Sequence, residues 1–255
     1  KTSALLSAVD KIVETYRAPQ REDLITIDGP AGSGKSTVAR TLAQRLGWQY
    51  LDSGALYRAL TLKALRSRIP LGDDAQLASL AWQTAIELKG DRGLLDGEDV
   101  TEAIRSAEVT EAVSTVAQQP AVREHLTRLQ RRLAREGRVV LEGRDAGTVV
   151  APEAMHKVYL DASLKMRTAR RVKELREAGR RANEADVKRA IKARDRQDRE
   201  RAIAPLRPAP GAHLIDTNGK TVEQVVDAIL AGKGATYGAI MLDAHGSLAS
   251  FPGSG

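Results

Sequence analysis

The chain has 255 residues, with 40 Lys and Arg against 33 Asp and Glu, a formal net charge of +7, and no cysteine. That length suits one elaborated domain or two small ones with a real core, and the missing cysteine excludes a disulfide framework, a thiol nucleophile and a thiolate metal site. Hydrophobic residues at 42% read as a soluble globular protein, aromatic residues at 3% argue against stacking of single-stranded bases, and the positive balance leaves phosphate ligands, nucleic acid or an anionic surface as partners.

Leu5, Leu6, Val9, Ile12, Val13 and Tyr16 recur at spacings of three and four, which predicts a short amphipathic packing helix over residues 4–16, within an N-terminal extension covering residues 1–23. A chain that begins at Lys1 reads as an excised or processed segment. No apolar run approaches the ~20 residues of a membrane span, and no signal-peptide series opens the chain, so a soluble cytoplasmic protein is expected. The apolar, β-branched run at residues 24–27, closed by Asp28-Gly29-Pro30, predicts a buried strand ending at a turn, and helical spacing resumes over residues 38–46. Further strands are predicted at residues 49–51, 138–142, 157–160 and 213–215. Strands separated by helical stretches imply an α/β fold with an open parallel sheet, because parallel neighbours need long crossovers.

Two excursions interrupt this rhythm. Residues 55–118 are helix-rich but contain a stretch at 85–100, punctuated by Gly90, Gly93 and Gly97, that suggests a small antiparallel ribbon. Residues 163–201 read as two long charged helices around 179–183. Both are taken as excursions from one core. Residues 231–255 have little periodicity and read as a flexible tail.

Gly29-Pro30-Ala31-Gly32-Ser33-Gly34-Lys35-Ser36 satisfies G-x-x-x-x-G-K-[ST] between a predicted strand and a predicted helix. Its glycines let backbone N–H groups turn inward, and the following helix N-terminus adds positive potential for phosphates. Lys35 would neutralise the β- and γ-phosphates of a nucleoside triphosphate, and the Ser36 hydroxyl would sit on Mg²⁺. No Asn-Lys-x-Asp segment for reading guanine is present. Instead Glu142-Gly143-Arg144-Asp145-Ala146-Gly147-Thr148 sets a guanidinium beside a carboxylate at the end of a strand, where α/β proteins bind ligands. Asp52-Ser53-Gly54-Ala55-Leu56-Tyr57-Arg58 follows the second strand, and Arg194, Asp198 and Arg201 fall at helical spacings of four and three on one face.

These motifs, in this order, resemble the bacterial cytidylate kinases of the nucleoside monophosphate kinase group over residues 24–230; Gly97-Glu98-Asp99-Val100-Thr101 and Ile104-Arg105 resemble the family's nucleotide-binding insert. The resemblance implies a P-loop kinase core with a five-stranded parallel sheet flanked by helices (residues 24–54, 119–162 and 202–230). It also implies an enlarged monophosphate-binding insert at 55–118 and a short helical lid at 163–201. The implied activity is transfer of the γ-phosphoryl group of ATP to CMP or dCMP, giving CDP or dCDP and ADP in pyrimidine nucleotide metabolism. Mg²⁺ is the implied cofactor, the substrates are small molecules, and no nucleic acid, no membrane and a monomeric state are expected.

Carried over by position, the resemblance assigns ATP to Gly29, Pro30, Ala31, Gly32, Ser33, Gly34, Lys35, Ser36 and Thr37, with Arg170 and Arg171 arriving from the lid. It assigns cytosine recognition to Ser53, Arg123 and Asp145; the sugar to Ser114, Arg194 and Asp198; and the phosphates to Arg58, Arg144 and Arg201, with Gly54 and Tyr57 completing the CMP site. Lys35, Arg58, Arg144 and Arg201 are the expected catalytic residues, and Ser36 the metal contact. Taken alone, Arg123 reads as a surface helix residue. Glu142 is considered only as a water-mediated Mg²⁺ contact. The alternative is a basic P-loop ATPase that binds nucleic acid through the lid.

Overall fold

The computed structural model describes residues 21–231. Strand β1 (Arg21–Asp28) is buried from Leu24 onward and lies between two parallel partners, which is why its apolar run is continuous rather than alternating. It starts before the predicted run because Arg21 forks onto Asp23 and the carbonyl of Ala134, fixing the chain's approach to the sheet. Helix α1 (Lys35–Leu46) follows, entered through Gly34 and left through Gly47, both left-handed. Next come β2 (Gln49–Asp52), α2 (Ser53–Arg66) and α3 (Asp74–Trp82). The short strands β3 (Ile86–Lys89), β4 (Arg92–Leu95) and β5 (Glu98–Asp99) pair antiparallel, as the glycine punctuation predicts. Helices α4 (Ala107–Val116) and α5 (Pro120–Ala134) return the chain to β6 (Val139–Gly143) and β7 (Ala154–Asp161). A hairpin of α6 (Leu164–Glu177) and α7 (Glu184–Glu200), then β8 (His213–Asp216) and α8 (Val222–Ala231), complete the described chain.

The main sheet is a five-stranded parallel sheet in the order β2-β6-β1-β7-β8. On one face Val38, Leu42 and Leu46 of α1 and Val226 and Ile229 of α8 pack on Ile25, Ile27, Val140, Val158 and Leu160; Leu24, Val139 and Leu141 turn to the other face. The insert has its own core, in which Leu56, Leu60, Leu77, Ile86, Leu95 and Ile104 are buried together with Val122 and Leu126 of α5. Helix α5 thus serves both the sheet and the insert. The lid hairpin closes on a small cluster of Val172, Val187 and Ile191.

Two details depart from the sequence reading. Residues after Asp145 form a wide helical turn, in which the Val150 and Ala151 N–H groups donate to the Asp145 and Ala146 carbonyls at 3.2 and 2.8 Å. Helix α7 ends at Glu200, so Arg201 is extended rather than on the helical face of Arg194 and Asp198. The Leu206 N–H donates back to the Asp198 carbonyl at 2.7 Å, and this tight return ends the helix. The predicted helix at residues 4–16 and the tail beyond residue 231 lie outside the described residues.

Candidate active site

The carboxyl ends of β1, β2 and β6 carry the sequence motifs to one edge of the sheet, where open α/β sheets place ligands. The loop after β1 depends on glycine for space and for backbone sign. At Gly29 (φ 150) a Cβ would lie 2.0 Å from the Leu160 carbonyl oxygen, and at Gly32 (φ 77) it would press on the Arg167 Cβ at 3.2 Å. Lys35 folds into the loop's concavity, its Nζ donating to the Pro30 carbonyl at 2.7 Å. Burial, then repulsion from Arg144, lowers the Lys35 ammonium well below the usual lysine range. A polyphosphate in the loop would offset both effects. The Ser36 hydroxyl donates to Glu142 Oε1 at 2.8 Å, while Thr37 is exposed.

Close to Lys35, Arg144 and Arg194 belong to a set of charged residues that converge on two carboxylates. Asp145, 6% exposed, pairs with Arg123 through one oxygen and lies 3.5 Å from Arg201 through the other. Arg123 is only 3% exposed: its guanidinium donates to the Ala117 carbonyl at 3.1 Å and lies 5.5 Å from the centre of the Tyr57 ring. The surface reading of Arg123 is therefore corrected; α5 turns this residue inward because its other neighbours, Val122 and Leu126, fill the insert core. Asp198 accepts from Arg144 Nε at 2.9 Å. Burial opposes its charge, yet Arg144, Arg194 and Arg201 outweigh it and hold Asp198 below the ordinary carboxylate range. Although Arg201 has left the helix, its Nε donates to the Ala204 carbonyl at 2.6 Å and its fork still reaches Asp145.

Arg58 donates to the Ile104 carbonyl and the Thr110 hydroxyl at 3.1 and 2.9 Å, which ties α2 to α4 and the turn before it. Burial, reinforced by Arg105, Arg144 and Arg171, brings Arg58 down to about 10. Burial and Arg144 bring Arg194 down to about 9, and no acceptor among the described residues meets its Nε. These are cations crowded at a site that holds more positive charge than its own acids balance. Ser53 is buried at the start of α2, whose first turn is capped by the Asp52 side chain accepting from the Ala55 N–H at 3.1 Å, and Gly54 lies in that turn. Ser114 is buried on α4.

From the lid, Arg170 reaches the phosphate loop's flank, donating to the Thr217 carbonyl and hydroxyl at 2.7 and 3.0 Å. Arg171 pairs with Glu174 at 3.0 Å on the helix surface and lies close enough to lower Arg58 and Arg194.

Several residues were missed by the motif reading. Asp28 accepts from the Ala146 and Gly147 N–H groups at 2.8 Å each and so sets the turn that presents Asp145; burial, opposed by those bonds, raises it to about 6. Arg167 clamps the lid to the loop, donating to the Ala31 carbonyl at 3.1 Å and pairing with Asp195 at 2.7 Å. Thr217 donates to the Ser33 carbonyl at 3.1 Å. Asp28 and Thr217 lie at or just past strand ends, where an apolar run gives way to polar residues, whereas Arg167, inside α6, carried no such signal.

No cluster of three His, Cys, Asp or Glu side chains able to hold a metal occurs among the described residues. Beside Ser36, however, Glu142 is buried with Oε2 lacking any donor among the described residues. Burial and repulsion from Asp52 raise this carboxyl, opposed by Lys35, Ser36 and Tyr50. A hydroxyl next to an orphaned carboxylate oxygen at a phosphate loop fits a magnesium ion, which takes few protein ligands and shares phosphate oxygens and waters. A cavity of about 450 Å³ lies elsewhere, behind Tyr50, lined by Arg40, Trp48, Leu88, Asp91 and Glu136.

The model of the family described as cytidylate kinase matches residues 25–233. A cytidylate kinase of Symbiobacterium thermophilum is 51% identical over 215 residues, covering 82% of this chain and 95% of that protein. One from Desulfitobacterium hafniense is 50% identical over 210 residues, covering 81% and 90%. A bifunctional pantoate ligase/cytidylate kinase of Synechococcus sp. is 50% identical over 220 residues, covering 84% of this chain and 41% of its own length.

Proposed function

The chain belongs to the cytidylate kinase family, and from that premise we propose that it transfers the γ-phosphoryl group of ATP to CMP and dCMP, releasing CDP or dCDP and ADP. The observation that carries the reading is a pair of neighbouring anion sites. Lys35 fills the phosphate loop, and near it Arg144, Arg194 and Arg201 crowd around Asp145 and Asp198, with Arg58 beside Arg144 and Arg194.

An oxygen of the acceptor phosphate attacks the γ-phosphorus while the bond from that phosphorus to the bridging oxygen breaks, and the electron pair leaves on ADP. The acceptor is already anionic at neutral pH, so no strong general base is needed. In-line positioning and cations over the transferred group do the work. Lys35, Arg58, Arg144 and Arg201 supply those cations, and the loop from Gly29 to Thr37 with Arg170 and Arg171 binds ATP. A bound Mg²⁺ neutralises charge on the β- and γ-phosphate oxygens; Ser36 Oγ and Glu142 Oε2 would hold it.

On the acceptor side, cytosine offers an exocyclic amino donor beside the N3 and O2 acceptors. Asp145 and the Ser53 hydroxyl accept from the amino group and Arg123 donates to the acceptors. Uracil turns a carbonyl toward Asp145 and leaves buried groups unpaired, at about 1–3 kcal/mol each. Asp198, Arg194 and Ser114 hold the sugar, while Gly54 and Tyr57 shape the pocket.

The insert (55–118) and lid (163–201) close over both substrates, which keeps water from acting as acceptor. The reading takes the enzyme as cytoplasmic and monomeric; no helix among the described residues is long and apolar enough to cross a membrane.

The test is a phosphoryl-transfer assay across nucleoside monophosphates with ATP and Mg²⁺. The expected result is turnover of CMP and dCMP, with UMP poorer by about tenfold or more. Equal or better turnover of UMP, AMP or shikimate would overturn the substrate assignment.

A further inference from the structure

Glu142 receives two donors on one oxygen. The Ser36 hydroxyl donates to Oε1 at 2.8 Å and the Tyr50 hydroxyl donates to the same atom at 3.0 Å, while the buried Oε2 has no donor among the described residues. A carboxylate held by one donor can rotate and exchange its oxygens. With Oε1 held from two sides, Oε2 is the oxygen left without a donor, and Ser36, its proton committed to Glu142, keeps its lone pairs free.

Tyr50 is itself held in place. It sits in β2, the strand at the sheet's edge, beside β6, which carries Glu142. Over its ring, the Arg40 guanidinium lies 5.0 Å from the ring centre and pairs at 2.7 Å with Asp91, in the turn between β3 and β4 of the insert. The half-buried ring packs against the sheet core and also lines the approximately 450 Å³ cavity. Its hydroxyl is spent on Glu142. Burying a phenol at a strand edge where an aliphatic side chain would pack is explained by that bond.

We propose that Tyr50 is a positioning residue for the cation-binding side of the active site: it fixes the Glu142 carboxylate so that Oε2 is presented to the metal of the metal–ATP complex, and the Arg40–Asp91 pair steadies Tyr50 from the insert. This rests on the reading that Ser36 and Glu142 hold the cation.

Tyr50→Phe keeps the ring and its stacking on Arg40 and removes only the donor. Calorimetric binding of ATP is measured in EDTA and over a series of Mg²⁺ concentrations for the wild type, Y50F, E142Q and the double variant, alongside KM for CMP. Y50F is expected to weaken metal-dependent ATP binding by about tenfold. Metal-free ATP affinity and KM for CMP should stay within about twofold of wild type, the bounds of an effect confined to one contact. E142Q is expected to weaken the metal-dependent component at least as much, and the double variant should match E142Q alone, because the Tyr50 effect passes through Glu142. If E142Q shifts the Mg²⁺ dependence and Y50F does not, the Tyr50 proposal is overturned and the cation site stands. If E142Q leaves the Mg²⁺ dependence at the wild-type value, the cation reading and this proposal both fall. Should Y50F weaken metal-free ATP and CMP binding as much as metal-dependent binding, Tyr50 is structural only.

Discussion

Asp28 and Asp145 are buried carboxylates at the ends of neighbouring strands, and their partners give them opposite tasks. Asp145 is met by the cations of Arg123 and Arg201. Asn at this position removes the charge that both arginines face and can turn an amide N–H toward a uracil carbonyl. Asp145→Asn should therefore lower kcat/KM for CMP by about 10–100-fold while changing UMP far less, and lower the melting temperature because a buried guanidinium loses its partner. An equal loss with both acceptors would show that Asp145 does not read the base. Asp28 is met only by backbone N–H groups, and burial raises it to about 6 from 3.8. The native state thus holds this proton at pH values where the unfolded chain has released it. The stability it contributes is complete below pH 3.8 and lost as pH rises through about 6. Asp28→Asn has no such charge to bury, so from pH 4 to 7 the wild type should lose roughly 2 kcal/mol relative to the variant in parallel denaturant titrations. A constant difference across that range would remove the assignment. Asp145 was legible because it lies in a motif. Asp28 was not, because its role exists only once β6 is placed beside β1, and nothing in residues 24–28 tells that order.

Among the elements, strands and helices were legible from periodicity, and their ends were not. Residues 157–160 read as a strand, but β7 begins at Ala154, where hydrogen bonds to β1 rather than side-chain type decide the boundary. Arg201 looked helical by spacing, yet the return of Leu206 onto Asp198 ends the helix one residue earlier. Such closures are tertiary, and propensity does not report them. A junction between elements that matters to the site is Gly143, the last residue of β6. A Cβ there would lie 2.7 Å from Ser53 Oγ, the first residue of α2. Gly143→Ala must displace the Ser53 hydroxyl, which the proposed function assigns to the base. Steady-state kinetics should find KM for CMP raised about tenfold, with KM for ATP within twofold, since misplacing a group by about an ångström is costly at a positioned site. Equal changes in both constants would mean that the sheet end, and not the CMP side, had moved.

At the scale of the molecule, the net charge of +7 is unevenly placed, since residues 157–201 hold 16 Lys and Arg against 8 Asp and Glu. Two kinds of partner could answer that excess, a long polyanion along the lid surface or phosphates in a cleft. Four lid cations are engaged at home, Lys173 with Glu177, Arg171 with Glu174, Arg189 with Asp186 and Arg196 with Glu200, while Lys165, Arg176, Arg180, Arg181, Lys188, Lys192 and Arg199 stay exposed. A second group of cations is inside, where Arg58, Arg194 and Arg201 are all held below the ordinary arginine range by burial and by neighbouring arginines, and these are the ones within reach of a small ligand. Folding therefore assembles a repulsive cluster that only an anion of matching size can relieve. CMP present at about a hundred times its Kd should stabilise the protein by about 2.7 kcal/mol, raising the melting temperature of a chain of this size by roughly 5–10 °C. Inorganic phosphate should give a smaller rise through the same arginines. Duplex DNA or RNA at the same phosphate concentration should give none, because a polyanion cannot reach arginines that are themselves largely buried. A nucleic-acid shift equal to that of CMP, falling steeply with salt as released counterions require, would move the site of action from the cleft to the lid's outer face.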